Sequence, residues 1–511
     1  MSVVDVVRSV VSDEEIDRLV ADHFPFGASE YILTSMYAVI DRRLGRLAET
    51  SAPARGFYEQ LQTVDQATAR AYLQDTSVRI AVLDEFYART SGVDEVGPTC
   101  GRDRAAVFEQ CAEQLRSGEH GPPSAIAEGR TLGLSGKVPT RIWREERRQD
   151  PCTRVFRAAS RFYFRNSDLR EPTCEQVRQL QQGFELLEAL TPNLAYSALQ
   201  HATQIAVVGP ADSGKSMSSG STVLIPGTFY IGESAFGNPW RTAEYLLHEA
   251  LHHKFYDFRH AHSVLAELPG EADLSGRALL RVTAPWNMAG ASGTQNQWDT
   301  HRVFAAFHVY THLGLLSLAA DRLEGRYVST YGPNLDLNPR TDSRTALDRA
   351  YYLGHQLVTE CEPNLGAAGI RLAHWLLAVL SALDVSPPPG DRTFPFLLTR
   401  YQRENRALGE MAGAAEISAL AGNLARIESD KTHTLASYLP TVDMAQLQAA
   451  GALPDPMSRF AATRNAVHGI LIRLSNDGGY TLPHPSADAM ARNMINESSD
   501  AILQVTRHGV V

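Results

Sequence analysis

The stretch NPWRTAEYLLHEALHHKFYDF, residues 238–258, is the most informative part of this sequence. Asn238 can cap a helix and Pro239 suits a first helical turn, so the stretch predicts one helix that runs through both histidines to its end. His248 and His252 are four residues apart, which places both imidazoles on one face of that helix, one turn apart. Two ligands of a single metal ion need this spacing.

The residue after the first histidine also bears on chemistry. The Glu249 carboxylate could act on a metal-bound water or orient a ligand. Apolar neighbours such as Leu251 favour a buried helix over a chance match to the pattern. His253 points away from the pair and is expected to be a polar surface residue rather than a ligand. The pattern therefore predicts His248 and His252 as metal ligands, with Glu249 as the catalytic residue.

Two regions offer a third ligand. Glu271 follows the motif after eighteen intervening residues, a spacing seen in zinc peptidases of the gluzincin type. A second predicted helix, residues 299–316, carries three histidines along one stripe: His301, His308 and His312. We favour His308 because it lies in the middle of that helix, and the other candidates stay open.

Composition limits the class of protein. The 511 residues are 44% apolar and 21% charged, which is typical of a globular protein with two or three domains. The net charge of −10 argues against nucleic acid or an anionic membrane as the main partner. The five cysteines are scattered and favour reduced thiols in a cytosol, so histidine and carboxylate remain as metal ligands. Without a signal sequence or a long apolar run, we expect a cytoplasmic protein with no membrane span.

The rest of the chain predicts a mostly α fold of the α+β type. A capping box at residues 12–15 begins a helix, and residues 63–87 predict another. Short β-rich segments ahead of the motif helix predict strands at residues 205–208, 222–225 and 228–231. We expect a small sheet and the motif helix to form a zincin-like core. The predicted regions are a helical N-terminal region (1–175), the metal-binding core (176–345) and a helical C-terminal region (346–511).

Residues 209–216 match the phosphate-binding pattern GxxxxGK[ST] after a predicted strand. That loop requires a helix directly after it, because the helix N-terminus holds the phosphates. Here MSSGST follows at residues 217–222, which disfavours a helix and leads into another strand. We therefore expect a Ser/Gly loop that binds no nucleotide.

Several short motifs occur in a recognisable order. The segment HEALHHK at residues 248–254 follows a strand pair and precedes Ala284-Pro285-Trp286, then His301-Arg302 and VYTHLG at residues 309–314. Over residues 192–316 the chain resembles the HExxH-motif family found beside peptide natural-product genes. That family is described as iron- and 2-oxoglutarate-dependent peptide β-hydroxylases. Asn287 is a departure, because the family usually has arginine after Pro-Trp.

The resemblance implies a non-haem iron(II), 2-oxoglutarate-dependent oxygenase. It would hydroxylate an amino-acid residue or a related natural-product substrate, whether free, peptidyl or carrier-bound. Fe(II) held by His248, His252 and His308 would keep open positions for the 2-oxo acid and dioxygen. Glu249 would then orient a ligand. Arg302 is the candidate for the far carboxylate of 2-oxoglutarate, because its planar guanidinium matches a carboxylate.

The alternative is a zinc metallopeptidase of the gluzincin type. Zinc would be bound by His248, His252 and Glu271, and Glu249 would be the general base. The third ligand and the response to 2-oxoglutarate separate the two hypotheses.

Overall fold

A computed structural model shows a predominantly helical protein. It describes residues 12–91, 99, 101–118, 131–134, 138–144, 150–211, 217–266, 279–288, 294–334, 343–384, 393–410, 415–437, 444–477 and 485–507. Helices make up 75% of the described residues and the sheets are small, which confirms the predicted mostly α class.

The chain forms two compact units. The first unit comprises Met1–Leu279 and Phe304–Asp384. The second comprises Leu280–Val303 and Val385–Val511, so it takes a short segment from the middle of the chain. The predicted regions 1–175, 176–345 and 346–511 follow a different division and stay a prediction.

Helices form most of the first unit. In chain order they are α1 (Asp13–Asp22), α2 (Ser29–Ala48), α3 (Ala52–Leu61), α4 (Gln66–Gln74), α5 (Thr76–Ser91), α6 (Gly101–Ser117), α7 (Pro151–Tyr163), α8 (Cys174–Leu190), α9 (Pro192–Leu199), α10 (Pro239–Ala261), α11 (Thr300–Tyr331), α12 (Ser343–Thr359) and α13 (Ala367–Leu383). The first four residues of α11 belong to the second unit.

Two N-terminal helix predictions have different outcomes. The capping box is confirmed, because the Ser12 hydroxyl accepts the Glu15 N–H at 3.3 Å and the Glu15 carboxylate accepts the Ser12 N–H at 3.0 Å. A single helix over residues 63–87 is wrong, because α4 and α5 are separate. Asp75 lies between them, and its carboxylate accepts the N–H groups of Ser77 and Val78, so it caps the second helix.

A six-stranded sheet lies within the first unit. Its strands are β1 (Thr131–Leu134), β2 (Val138–Ile142), β3 (Ser167–Arg170), β4 (Gln204–Pro210), β5 (Ser219–Gly220) and β6 (Thr228–Gly232). The order is β1-β2-β4-β6-β5, with β3 also paired to β4. Strands β4 and β6 are parallel, with Ile205 opposite Phe229. The predicted strands at residues 205–208 and 228–231 are confirmed.

The predicted strand at residues 222–225 is wrong, because this segment forms a turn. The Thr222 hydroxyl accepts the Leu224 N–H at 3.3 Å, and the Thr222 carbonyl accepts the Ile225 N–H at 3.2 Å. Local hydrogen bonds of this kind compete with strand pairing. Gly227 has φ of +78° and completes the turn in a conformation that other residues rarely adopt.

The second unit is a helical bundle with a small hairpin-like pair of strands. Its elements are β7 (Arg281–Thr283), β8 (Gln297–Asp299), α14 (Thr393–Glu410), α15 (Ala415–Ser437), α16 (Ala445–Gly451), α17 (Pro456–Asp477) and α18 (Pro485–Arg507). Apolar side chains from the bundle helices form its core, among them Phe394, Leu435 and Ile470.

One described helix, α11, is long and apolar enough to cross a membrane by length and composition. Its most apolar window of 18 residues has a mean hydropathy of 1.5, and 94% of that window is buried inside the protein. A helix that is apolar on all sides suits a protein core as well as a membrane. Burial therefore accounts for the composition of α11.

Candidate metal centre

Helix α10 carries the motif, and its start follows from the local sequence. The Asn238 side chain accepts the Trp240 N–H at 2.9 Å, and Pro239 occupies the first turn. The predicted helix is confirmed and extends to Ala261.

The helix is set deeply into the first unit. Gly183 of α8 faces it so closely that a Cβ there would lie 2.9 Å from Thr242 Cγ2 and 3.0 Å from Leu246 Cδ1. Glycine therefore allows α8 and α10 to approach each other. Along residues 240–258, all of which are described, every side chain is buried except those of Arg241, His248 and His252. The motif histidines are thus among the few points where this helix reaches solvent.

The two motif histidines converge on one point. Their Nε2 atoms lie 3.2 Å apart, and the rings meet at 69° with centroids 4.9 Å apart. The His248 side chain is 12% exposed, so a small ligand can reach it. This arrangement of two imidazole nitrogens suits a shared divalent ion. The structure thus brings together the two predicted ligands.

Glu249 lies beside this pair. Its Oε1 is 3.9 Å from His248 Nε2, and the residue is 2% exposed. Donor atoms of His248, Glu249 and His252 all lie within 4.8 Å of one another. Among the residues that the structure describes, these three are the group of His, Cys, Asp and Glu side chains that could hold an ion.

The favoured third ligand, His308, lies in the first unit on α11 and is 3% exposed. Its ring centroid is 5.8 Å from that of Phe255, one turn beyond His252 on α10. Burial is the main cause that holds the pKa of His308 well below its usual value. The charges of His312 and of other cationic groups, including His252, lower this pKa further. Its buried Nδ1 has no hydrogen-bond partner within the described part of the chain. His308 is outside the group of three above, and its role as ligand stays a prediction.

The other histidines of the predicted stripe differ from His308. His312 donates from Nδ1 to the His308 carbonyl at 2.7 Å, and burial lowers the pKa of His312 to about 3. His301 belongs to the second unit. Helix α11 itself is confirmed and is longer than the predicted segment 299–316.

Arg302 and Glu271 also stay predictions. Arg302 is exposed and belongs to the second unit, where its guanidinium lies 4.6 Å from the centroid of the Trp298 ring. Its backbone N–H donates to the Asp299 carboxylate at 2.8 Å. Glu271 lies outside the described residues.

The expectation that His253 is a surface residue is wrong. His253 is 1% exposed, donates from Nε2 to the Thr228 carbonyl at 2.8 Å, and accepts the Gly227 N–H at Nδ1 at 3.3 Å. Burial lowers its pKa to about 4. His253 therefore joins α10 to β6 as a neutral imidazole.

A buried lysine follows on the same side of α10. Lys254 is 1% exposed, and its Nζ donates to the Gly27 carbonyl at 2.6 Å and to Ser197 Oγ at 2.7 Å. Burial lowers the pKa of Lys254 to about 7. These bonds connect α10 to α9 and to the loop between α1 and α2.

Asp257 completes this buried side of the helix. Its Oδ1 accepts from Arg79 Nη2 at 2.5 Å, and its Oδ2 accepts from His201 Nδ1 at 2.7 Å. Burial raises the pKa of Asp257, but Arg79 and His201 outweigh burial and hold it below its usual value. Burial also lowers the pKa of His201, which favours its neutral form.

The sequence that matches the phosphate-binding pattern, residues 209–216, begins at the end of β4. Gly209 and Pro210 end β4, and residues 212–216 lie outside the described residues. Met217 and Ser218 then lead into β5, and residues 217–232, which are described, contain no helix. The expectation that this loop binds no nucleotide stays a prediction.

The arrangement around His248 and His252 can bind a divalent ion, place a carboxylate beside it and admit a ligand from solvent. None of the four described cysteines forms a disulfide bond, and none belongs to the donor group. No protein-family model matches this chain, and no curated protein matches it.

Proposed function

We propose that the protein is a non-haem iron(II), 2-oxoglutarate-dependent oxygenase that hydroxylates an amino-acid residue or a related natural-product substrate. The observation that carries this proposal is the convergence of His248 Nε2 and His252 Nε2, 3.2 Å apart, where a buried helix reaches solvent. The motif order over residues 192–316 supports the choice of reaction. We also propose that strands β4 and β6 and helix α10 form the zincin-like core.

The donor set fits a first-row transition metal. Imidazole nitrogens bind iron and zinc well, and three of them leave coordination positions open. His308 is the proposed third ligand, because its ring is kept neutral by burial and its Nδ1 has no other partner within the described residues. When bound, iron(II) would supply a site for the 2-oxo acid and the means to activate dioxygen.

The surrounding residues hold the ligands in place. The Tyr256 ring stacks on that of His252 with centroids 5.8 Å apart and an angle of 18° between planes, which limits rotation of the imidazole. Glu249 is nearly inaccessible to solvent. Its carboxylate can therefore orient a ligand or a bound molecule without competition from bulk water for its hydrogen bonds. The His248 side chain is 12% exposed, so a substrate would approach the ion from this side.

One observation favours a second function, zinc-dependent peptide hydrolysis. Glu249 Oε1 lies 3.9 Å from His248 Nε2, so the carboxylate would lie beside a zinc ion held there and could be the general base. Glu271 would then be the third ligand. The two functions differ in the need for 2-oxoglutarate.

The test begins with metal content, followed by anaerobic titration of 2-oxoglutarate into iron(II)-loaded protein. The charge-transfer absorbance should appear on titration, and succinate should form once oxygen is admitted. His248→Ala is the control and should show neither. Failure of the wild type to bind 2-oxoglutarate would exclude the oxygenase, and Glu249-dependent peptide hydrolysis with zinc would establish the second function.

A further inference from the structure

Positive charge is concentrated in one segment of this acidic chain. Residues 138–170 contain nine arginines, no lysine and four acidic residues, which gives this segment a net charge of +5, whereas the whole chain carries −10. The segment comprises β2, α7 and β3. A surface with charges of one sign attracts partners of the opposite sign. None of these residues belongs to the donor group at His248 and His252.

The two strands bring the ends of this segment together. Both pair with β4, β2 along its first residues and β3 along its last. They lie one after the other on the same side of β4, because β6 occupies its other side. Beyond the ends of the two strands, Arg144 Nη1 donates to the Glu171 carboxylate at 3.0 Å. The beginning and the end of the segment are therefore neighbours in the fold.

Helix α7, which joins the two strands, has its arginines on one face. Arg154, Arg157 and Arg161 are separated by three and four residues, and the opposite face packs into the core of the first unit. Arg154 is half-buried and pairs with Asp103 at 3.3 Å. Arg157 is also half-buried, with its guanidinium 5.8 Å from the centroid of the Trp143 ring. Arg161 is exposed, so the charge is most accessible at the C-terminal end of the helix.

An aromatic ring is exposed at this end of α7. Phe162 is 43% exposed, although it follows directly on Arg161 in a helix that otherwise buries its large apolar side chains. Arg165 is exposed, and its guanidinium lies 5.2 Å from the centroid of the Phe162 ring. No carboxylate of the described residues forms an ion pair with Arg161 or Arg165. We call Arg161, Phe162 and Arg165 the basic aromatic patch.

The composition of this patch is typical of a protein-binding surface. Arginine and aromatic residues are enriched in protein–protein interfaces, where the ring is covered and the guanidinium pairs with a carboxylate. Single-stranded nucleic acid also binds to arginine and aromatic rings. A long polyanion, however, is repelled by a chain with a net charge of −10. A short acidic segment needs only the local positive charge, so it fits this patch better.

We propose that the basic aromatic patch binds an acidic segment of a partner protein. Carboxylates of that segment pair with Arg161 and Arg165, and one of its apolar side chains packs on the exposed face of Phe162. This inference goes beyond the proposed function and does not depend on it, because no proposed metal ligand belongs to the patch.

The experiment uses two fluorescein-labelled peptides, one with eight glutamates around a central leucine and one with glutamates alone. Fluorescence anisotropy with the full chain measures their binding. The wild type should bind the leucine peptide with a dissociation constant on the order of 10 µM at about 50 mM salt, and about tenfold more weakly at about 300 mM. Charge reversal in Arg161→Glu/Arg165→Glu should weaken binding of both peptides by about tenfold or more.

Phe162→Ser tests the apolar part of the contact. It should weaken binding of the leucine peptide about threefold to tenfold and leave the all-glutamate peptide unaffected, because only the first peptide has a side chain to cover the ring. Equal affinity of Phe162→Ser and the wild type for the leucine peptide would overturn this part of the inference.

The matched control is Arg426→Glu/Arg473→Glu, which replaces two exposed arginines of the second unit and changes the net charge by the same amount. It should bind both peptides as the wild type does. An equal loss in both double variants, or no binding by the wild type, would overturn the inference. Both variants should keep the wild-type melting temperature, because the side chains are exposed. If Arg161→Glu/Arg165→Glu does not fold, Arg161→Gln/Arg165→Gln replaces it and should show the same loss to a smaller extent.

A labelled single-stranded oligonucleotide with as many charges as the peptides distinguishes the two kinds of polyanion. It should bind more weakly than the leucine peptide at the same salt concentration. Tighter binding of the oligonucleotide, lost in Arg161→Glu/Arg165→Glu, would identify a nucleic-acid site and overturn the choice of partner.

Discussion

On one face of α10, His248 and His252 reach solvent with their Nε2 atoms directed at each other. On the opposite face, His253, Lys254 and Asp257 are each 1% exposed and bind to the backbone or side chains of other elements. The two faces carry similar residue types along the same turns of one helix. The faces differ in the partners of these side chains: the two accessible histidines face each other, and the buried residues form hydrogen bonds to other elements of the fold.

This difference shows how neighbouring histidines take different roles. His252 and His253 are adjacent in sequence, but His253 uses both ring nitrogens on the backbone of Gly227 and Thr228. A ring whose nitrogens are both engaged by the protein has none left for a metal ion. The accessible face is therefore expected to control metal binding, and the buried face to control stability.

The largest expected effect is on metal binding. His248→Ala or His252→Ala should abolish metal loading, because a single remaining imidazole of the pair cannot hold the ion. The fold should be retained, since both side chains are on the accessible face. Elemental analysis and thermal unfolding of the metal-free proteins would measure the two effects. Full occupancy in either variant would remove His248 and His252 from the site.

The next effect concerns stability. Asp257→Asn should lower the free energy of unfolding by about 3–5 kcal/mol, because it leaves the buried Arg79 guanidinium without its counter-charge. Urea unfolding would measure this loss. Asp168→Asn is the matched control: Asp168 is 54% exposed and 3.9 Å from Arg170, so its loss should change stability by less than about 0.5 kcal/mol. A similar loss in both variants would contradict the special role of the buried face.

The contribution of Asp257 should also depend on pH. Its pKa is held below the usual value in the folded protein, so the folded state favours the ionised form more than the unfolded chain does. The stabilisation is fully present above the usual aspartate pKa of about 4 and is lost as the pH falls through the folded-state pKa. The difference in unfolding free energy between wild type and Asp257→Asn should therefore be constant from pH 7 to 5 and shrink below pH 4. A difference that grows on acidification would show the opposite sign of the pKa shift.

The smallest effect is expected at His253. His253→Leu should lower the free energy of unfolding by about 1–3 kcal/mol, because the Gly227 N–H loses its acceptor in a buried place. Metal loading should equal that of the wild type, which distinguishes this histidine from its neighbour His252. Loss of the metal from a folded His253→Leu protein would mean that the two faces are not separate in function.

Local signals in the sequence sufficed for the motif helix and the histidine pair. Asn238, Pro239 and the four-residue spacing act within a few turns, so propensity and periodicity reveal them. Strands β4 and β6 were likewise predicted from short β-rich segments. The turn at Thr222 was not, because a threonine hydroxyl bonding to its own backbone overrides strand propensity.

The partners that define the buried face come from distant parts of the chain and give no local signal. Gly227 lies 26 residues before His253, and Arg79 lies 178 residues before Asp257.

The bond between Arg79 and Asp257 also has a consequence for the order of assembly. The bond closes a loop of 178 residues, so Arg79 is synthesised long before its partner Asp257 on α10. Contacts of such long range are slow to form, because the entropy of closing the loop opposes them until much of the surrounding core is in place. His308, the proposed third ligand, is made later still. An ion held by the proposed ligands would therefore bind late, after most of the first unit has formed.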